Sequence, residues 1–73
     1  MKKIYKLEDL DCANCAAKME RAIAKLDGVT YANVNFMSQR LTIDADDERF
    51  EEIMDAVERT CKKVEPDCRI IRN

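Results

Sequence analysis

The chain alternates between two hydrophobic periods, and the order of these patterns limits the folds open to it. Residues 3–8 and 29–36 alternate apolar with polar side chains, which is typical of half-buried strands. Leu41 and Ile43 mark another such segment after a short turn. Residues 14–26 instead carry apolar side chains at helical spacing, so the sequence predicts strand, helix, strand, strand.

A second helix and a last strand complete the pattern. Acidic residues 46–48 favour a helix start, and an apolar stripe follows at Phe50, Ile53, Val57 and Cys61. Pro66 forbids continuation, and residues 68–70 close the chain as a short strand. This β-α-β-β-α-β order predicts a single domain over residues 1–73 with a ferredoxin-like α+β sandwich. In that sandwich, two helices cover one face of a four-stranded antiparallel sheet.

Composition excludes several classes of function. The net charge of −2 and the pI near 5.1 argue against nucleic-acid binding. Apolar runs are only a few residues long, so we expect no direct membrane insertion by this segment. No apolar signal segment follows Met1, and we therefore expect a reducing, cytoplasmic location with free thiols.

The strongest chemical signal is the run Asp11-Cys12-Ala13-Asn14-Cys15. Two thiolates at this spacing can hold one soft metal ion, and the chain has no His to compete as a ligand. The pair lies where the first loop meets the first helix, and the helix dipole favours anions there. We therefore expect two partly exposed thiols with lowered pKa values, in a surface site suited to handing over an ion.

The chain resembles the heavy-metal-associated domain of metallochaperones and of the N-termini of heavy-metal P-type ATPases. The resemblance runs through residues 7–16, 26–29, 32–36 and 41–43. Copper members usually have Gly-Met-x-Cys-x-x-Cys, whereas Asp9 and Leu10 replace the Gly and Met here. Asp11 before the first Cys is similar to the zinc, cadmium and lead branch.

That resemblance implies a non-catalytic module that binds and transfers Zn²⁺, Cd²⁺ or Pb²⁺, with Cu⁺ as the alternative. It also implies that Cys12 and Cys15 are metal ligands and that Asp11 is a third. The implied partner is the transmembrane transport site, or a sister metal-binding domain, of a heavy-metal ATPase. In the copper chaperones the loop after the second helix lies beside the metal loop, so Lys62, Lys63 or Cys61 can approach it.

Several alternatives stay open at the level of sequence. Asp11 is equally well explained as an acidic residue at a helix start. Cys61 continues an apolar stripe, which favours a place in the core over metal ligation, and Cys68 has the parity of an interior residue. The acidic run of residues 44–58 is either a solvated helix face or a docking face for a basic partner.

Three other functions compete with the ATPase module. One is a free-standing metallochaperone, and another is a redox protein that uses Cys12 and Cys15 as a dithiol. The third is a structural zinc domain with all four thiols around one ion. The spacing between Cys61 and Cys68 is too wide for a typical second zinc knuckle, and the core pattern looks sufficient without metal.

Overall fold

A computed structural model describes residues 1–72 and confirms the predicted order of elements. The elements are β1 (Lys2–Glu8), α1 (Ala13–Ala24), β2 (Val29–Asn35), β3 (Arg40–Ala45), α2 (Phe50–Val64) and β4 (Arg69–Ile71). A single 3₁₀ turn, Asp47–Arg49, leads into α2, and Asp46 caps it by accepting a hydrogen bond from the N–H of Glu48 (3.1 Å). Asn73 lies outside the described residues.

The four strands form one antiparallel sheet in the order β2-β3-β1-β4. The predicted hairpin joins β2 to β3, with Val34 opposite Leu41. Because β3 also pairs with β1, Lys6 lies opposite Arg40. The hairpin turn is thus brought to the end of the sheet where β1 leads into the loop with the first two cysteines. None of the helices within residues 1–72 is long and apolar enough to cross a membrane.

One apolar core lies between the sheet and the helices. The predicted stripe of α2 is buried, and α1 buries Ala16, Met19 and Ile23 in the same layer. The core also takes up Cys61 and Cys68, each with 1% of its surface exposed. The structure thus places the last two cysteines where small apolar side chains normally lie.

The single glycine fits the turn between α1 and β2. This helix ends at Ala24 and its C-cap, Lys25, keeps a right-handed conformation, so Gly28 lies in the turn that enters β2. Its φ of +93° is strained for other residues. A Cβ atom at this position would come within 2.6 Å of Cδ1 of Ile53, so close packing of the turn on α2 also requires glycine.

Candidate metal site

The loop between β1 and α1 carries the first two cysteines and is anchored by its neighbours. Asp9 has a φ of +62°, a left-handed conformation that Asp tolerates better than most residues. This conformation explains how Asp can stand where copper members usually have Gly. The next side chain, Leu10, turns into the core with 3% of its surface exposed. The loop is therefore held from below just before it reaches Cys12.

Gln39, in the β2–β3 turn, holds the same loop from the side. Its Nε2 donates to the carbonyl oxygens of Leu10 (2.9 Å) and Phe36 (2.8 Å). Its Oε1 accepts from the N–H of Leu10 at 3.3 Å. The backbone carbonyl of Gln39 also accepts from the N–H of Leu7 at 2.8 Å. The position of the cysteine loop thus depends on a residue that the sequence analysis left unassigned.

Cys12 is the N-cap of α1, and Cys15 lies in its first turn. The sulfur of Cys12 accepts a hydrogen bond from the N–H of Cys15 at 3.3 Å. Both side chains are half-buried, as expected for a surface site. A sulfur at the N-cap faces the free N–H groups of the first turn, which stabilise negative charge there.

The two thiols differ in acidity, so the expectation that both pKa values fall is only half right. The pKa of Cys12 is lowered, first by a hydrogen bond from the Cys15 thiol and next by the N–H of Cys15. The pKa of Cys15 is raised to about 11 because its proton is shared with Cys12, with burial, the charge of Cys12 and Glu65 adding to the effect. Of the two thiols, Cys12 therefore loses its proton more readily and Cys15 holds its proton more tightly.

Asp11 lies on the rim of the site and is exposed. It does not cap α1, because Cys12 occupies that position and no acidic residue lies in the first turn. Asp11 nevertheless lies one residue before the N-cap, where the helix dipole still favours a negative charge. Across residues 1–72, no three Cys, Asp or Glu side chains are gathered so that they could hold one ion. Metal ligation by Asp11 stays a prediction that needs a shift of its side chain.

Glu65 is the site residue that the sequence analysis missed. It is the C-cap of α2 and begins a turn in which the N–H of Cys68 donates to its carbonyl oxygen at 3.1 Å. Its carboxylate lies near enough to the Cys15 thiol to help raise the pKa of that thiol. As expected, the loop after α2 lies near the cysteines, but the group that acts on Cys15 is the carboxylate of Glu65. The sequence feature that could have indicated this residue is an acidic side chain just before Pro66, where the second helix must end.

Cys61 lies apart from this site. It belongs to the buried stripe of α2, where burial raises its pKa to about 12. Burial likewise raises the pKa of Cys68, followed by the charges of Glu65, Asp9 and Asp11. These surroundings favour the structural explanation for Cys61 over its role as a ligand beside Cys12 and Cys15.

The acidic run of residues 44–58 is partly paired with cations within the chain. Arg72 contacts three of its carboxylates, on Glu51 (3.2 Å), Asp55 (3.3 Å) and Glu58 (2.5 Å). The N-terminal ammonium contacts Asp44 and Asp47, and Arg49 lies 3.9 Å from Glu52. Six of the eight acids of the run thus share three cationic partners in the described residues, and the run keeps an excess of negative charge.

The fold and the site together define a small ion-binding module with a surface dithiol. The model of the heavy-metal-associated domain family matches residues 4–63. The chain belongs to this family, whose members bind heavy metals such as cadmium, zinc and copper.

Relatives fall into two groups. The chain is 35% identical over 66 residues to a cadmium, zinc and cobalt-transporting ATPase of Bacillus subtilis, covering 90% of this chain and 9% of that protein. It is 36% identical over 55 residues to a zinc/cadmium/lead-transporting P-type ATPase of Shigella sonnei, covering 75% and 8%. The chain thus spans less than a tenth of these relatives. Among solved structures, a CopZ metallochaperone is 25% identical with a TM-score of 0.71, covering 97% of this chain and 100% of that one.

The difference in acidity predicts an order of thiol alkylation. Iodoacetamide at neutral pH should modify Cys12 before Cys15, because Cys12 has the lowered pKa and its side chain is half-exposed. Cys15 should follow slowly, and Cys61 and Cys68 should stay unmodified until the chain unfolds. Mass spectrometry of peptides along the time course measures the order. Equal rates for Cys12 and Cys15 would contradict the shared proton.

Replacing Gln39 with Ala should loosen the cysteine loop. The change removes the amide contacts with Leu10, and we expect a loss of about 1 kcal/mol in the free energy of unfolding. Hydrogen exchange at Leu10 should accelerate, while exchange in α2 stays unchanged. Ser38→Ala, in the same exposed turn, is the matched control. An unchanged exchange rate at Leu10 would show that Leu10 burial alone holds the loop.

Proposed function

We propose that this chain binds one divalent soft ion, Zn²⁺, Cd²⁺ or Pb²⁺, and passes it to the transport site or a sister domain of a heavy-metal ATPase. The main observation that supports this proposal is the half-buried pair Cys12 and Cys15, which lies on a loop that Leu10 and Gln39 hold in place. Thiolates suit soft and borderline ions, and a surface pair leaves room for further ligands. The exchange takes place on the cytoplasmic side, where thiols stay reduced.

Carboxylates near the pair support a divalent ion over Cu⁺. Two thiolates satisfy Cu⁺, whereas Zn²⁺ in proteins is almost always held by about four ligands. Glu65 already lies near Cys15, and Asp11 precedes Cys12 on the exposed rim. Either carboxylate supplies an oxygen donor after a side-chain rotation. Relatives named for cadmium and zinc transport support the same choice.

Hand-over follows from the open side of the site. An incoming thiolate adds to the ion before a resident thiolate leaves, so the bare ion never enters water. Cys15 is suited to leave first, because its raised pKa makes it the thiol that regains a proton more readily. Cys12 then keeps the ion at the N-cap of α1 until transfer is complete.

A free-standing metallochaperone, with Cu⁺ as cargo, is the second candidate. It is favoured by the CopZ metallochaperone, which this chain matches over the full length of that protein. The oxygen donors beside Cys15 and Cys12 separate the two candidates, because Cu⁺ gains little from them.

The first test is stoichiometry. Wild-type chain should retain one Zn²⁺ or Cd²⁺, and Cys12→Ser/Cys15→Ser should retain none while its far-UV circular dichroism stays native. Mass spectrometry under native conditions counts the ions. The fold should also survive chelation, since its core is apolar and lies apart from the site. Full metal content in the double variant would remove the assignment of Cys12 and Cys15.

A second test separates the two carboxylates. Asp11→Ala and Glu65→Gln should each be compared for Cd²⁺ and Cu⁺ affinity by competition titration. A carboxylate that ligates the ion should weaken Cd²⁺ binding by about 10- to 100-fold or more, since even supporting residues reach that range. Cu⁺ affinity should change little. Glu52→Gln, an exposed acid on α2 beyond the site, is the control. Equal losses for both ions would limit the carboxylates to an electrostatic role.

A third test addresses transfer. The rate at which a dithiol chelator removes Cd²⁺ should rise with chelator concentration, because attack on the bound ion precedes release. Stopped-flow absorbance of the thiolate–metal band follows the reaction. A slow rate that is independent of chelator would mean that dissociation comes first, and the carrier mechanism would fail.

A further inference from the structure

The other two thiols meet at a cavity of their own. A cavity of about 160 Å³ is lined by Glu58, Cys61, Lys62, Cys68, Arg69 and Ile70. Cys61 lies on α2 and Cys68 lies just before β4, and each has 1% of its surface exposed. The cavity is several times larger than the space of one water molecule. Two sulfur-bearing side chains thus share one small space at the edge of the core.

The polar groups around this cavity are occupied elsewhere. The carboxylate of Glu58 is held by Arg72 at 2.5 Å. The guanidinium of Arg69 is held by Glu8 at 2.7 Å. Lys62 is an exposed cation and cannot donate electrons to a metal ion. Among the side chains that line the cavity, the two sulfurs are therefore the donors that no ion pair engages.

The sulfurs are also near each other and separate from the first site. Both side chains line the same cavity, and burial, followed by the charge of Cys68, raises the pKa of Cys61. The turn of residues 65–68 lies between the two thiol pairs. Glu65, the first residue of the turn, lies near Cys15, and Cys68, the last residue of the turn, lines the cavity.

We propose that Cys61 and Cys68 form a second, interior site that takes one soft monovalent ion of the Cu⁺ and Ag⁺ class between two sulfurs. Such ions accept two-sulfur coordination, whereas Zn²⁺ would lack its remaining ligands in this cavity. Each thiol loses its proton to water as its sulfur binds the ion, and nothing is oxidised or reduced. The site is independent of the divalent site proposed above.

Ag⁺ is the probe, in the variant Cys12→Ser/Cys15→Ser, which leaves both interior thiols and the core intact. Native mass spectrometry should find one Ag⁺ per monomer, with a thiolate–silver absorption band and native circular dichroism. The wild-type chain should hold two Ag⁺ but only one Zn²⁺. Adding Cys61→Val should remove the remaining Ag⁺, because valine fills the buried position without a sulfur ligand. Cys68→Ala serves the same purpose if the valine variant does not fold.

Three outcomes would overturn the interior site. The first is that Cys12→Ser/Cys15→Ser holds no more Ag⁺ than a chain without cysteines. The second is Ag⁺ bound only between two chains or in unfolded protein. The third is that this variant retains as much Zn²⁺ as Ag⁺, which would show that the cavity supplies donors other than the two sulfurs. None of these results bears on Zn²⁺ or Cd²⁺ binding by the wild-type chain at Cys12 and Cys15.

Discussion

The burial of Leu10 is the constraint on which the site depends. Leu7 and Leu10 both point into the core, and the left-handed backbone of Asp9 lets the chain turn between them. Because Leu10 is buried and Cys12 caps α1, the chain returns to the surface within a single residue, Asp11. Gln39 adds hydrogen bonds to both backbone groups of Leu10, so the loop is tied to the sheet as well as to the core. A surface thiol pair thus gains a defined position without needing a metal ion to fold it.

That position gives the two cysteines unequal chemistry. Helix geometry presents the free N–H groups of the first turn to Cys12, which stabilises a thiolate. Cys15, one turn further and next to Glu65, keeps the shared proton. Under the proposed function, an ion that binds both sulfurs displaces the proton that Cys15 holds more tightly, and a partner that withdraws the ion lets that proton return. Because the two thiols differ in pKa, one sulfur is expected to detach from the ion before the other during release.

Much of this arrangement could be predicted from the sequence because it rests on local periodicity. The alternating segments, the stripe from Phe50 to Cys61 and the place of Cys12 at a helix start all depend on neighbours within a few residues. The errors and omissions concern contacts between distant segments. Gly28 is required by Ile53, Gln39 holds Leu10, and Glu65 meets Cys15 across 50 residues of chain. No spacing rule places these pairs together, since tertiary packing brings them into contact.

Charge explains why an oxygen donor matters at this site more than anywhere else on the surface. Arg72, Arg49 and the N-terminus supply three positive charges to six carboxylates of the acidic run, so that run stays negative overall. Two thiolates with Cu⁺ carry one net negative charge, and with Zn²⁺ they carry none. One carboxylate ligand restores the single negative charge to the divalent complex. A partner that recognises charge alone could not then tell this loaded site from a copper-loaded dithiol. Under the proposed function, discrimination between the ions comes from the number of donors that each ion demands, and the proposal assigns selectivity to Asp11 and Glu65 rather than to the cysteines.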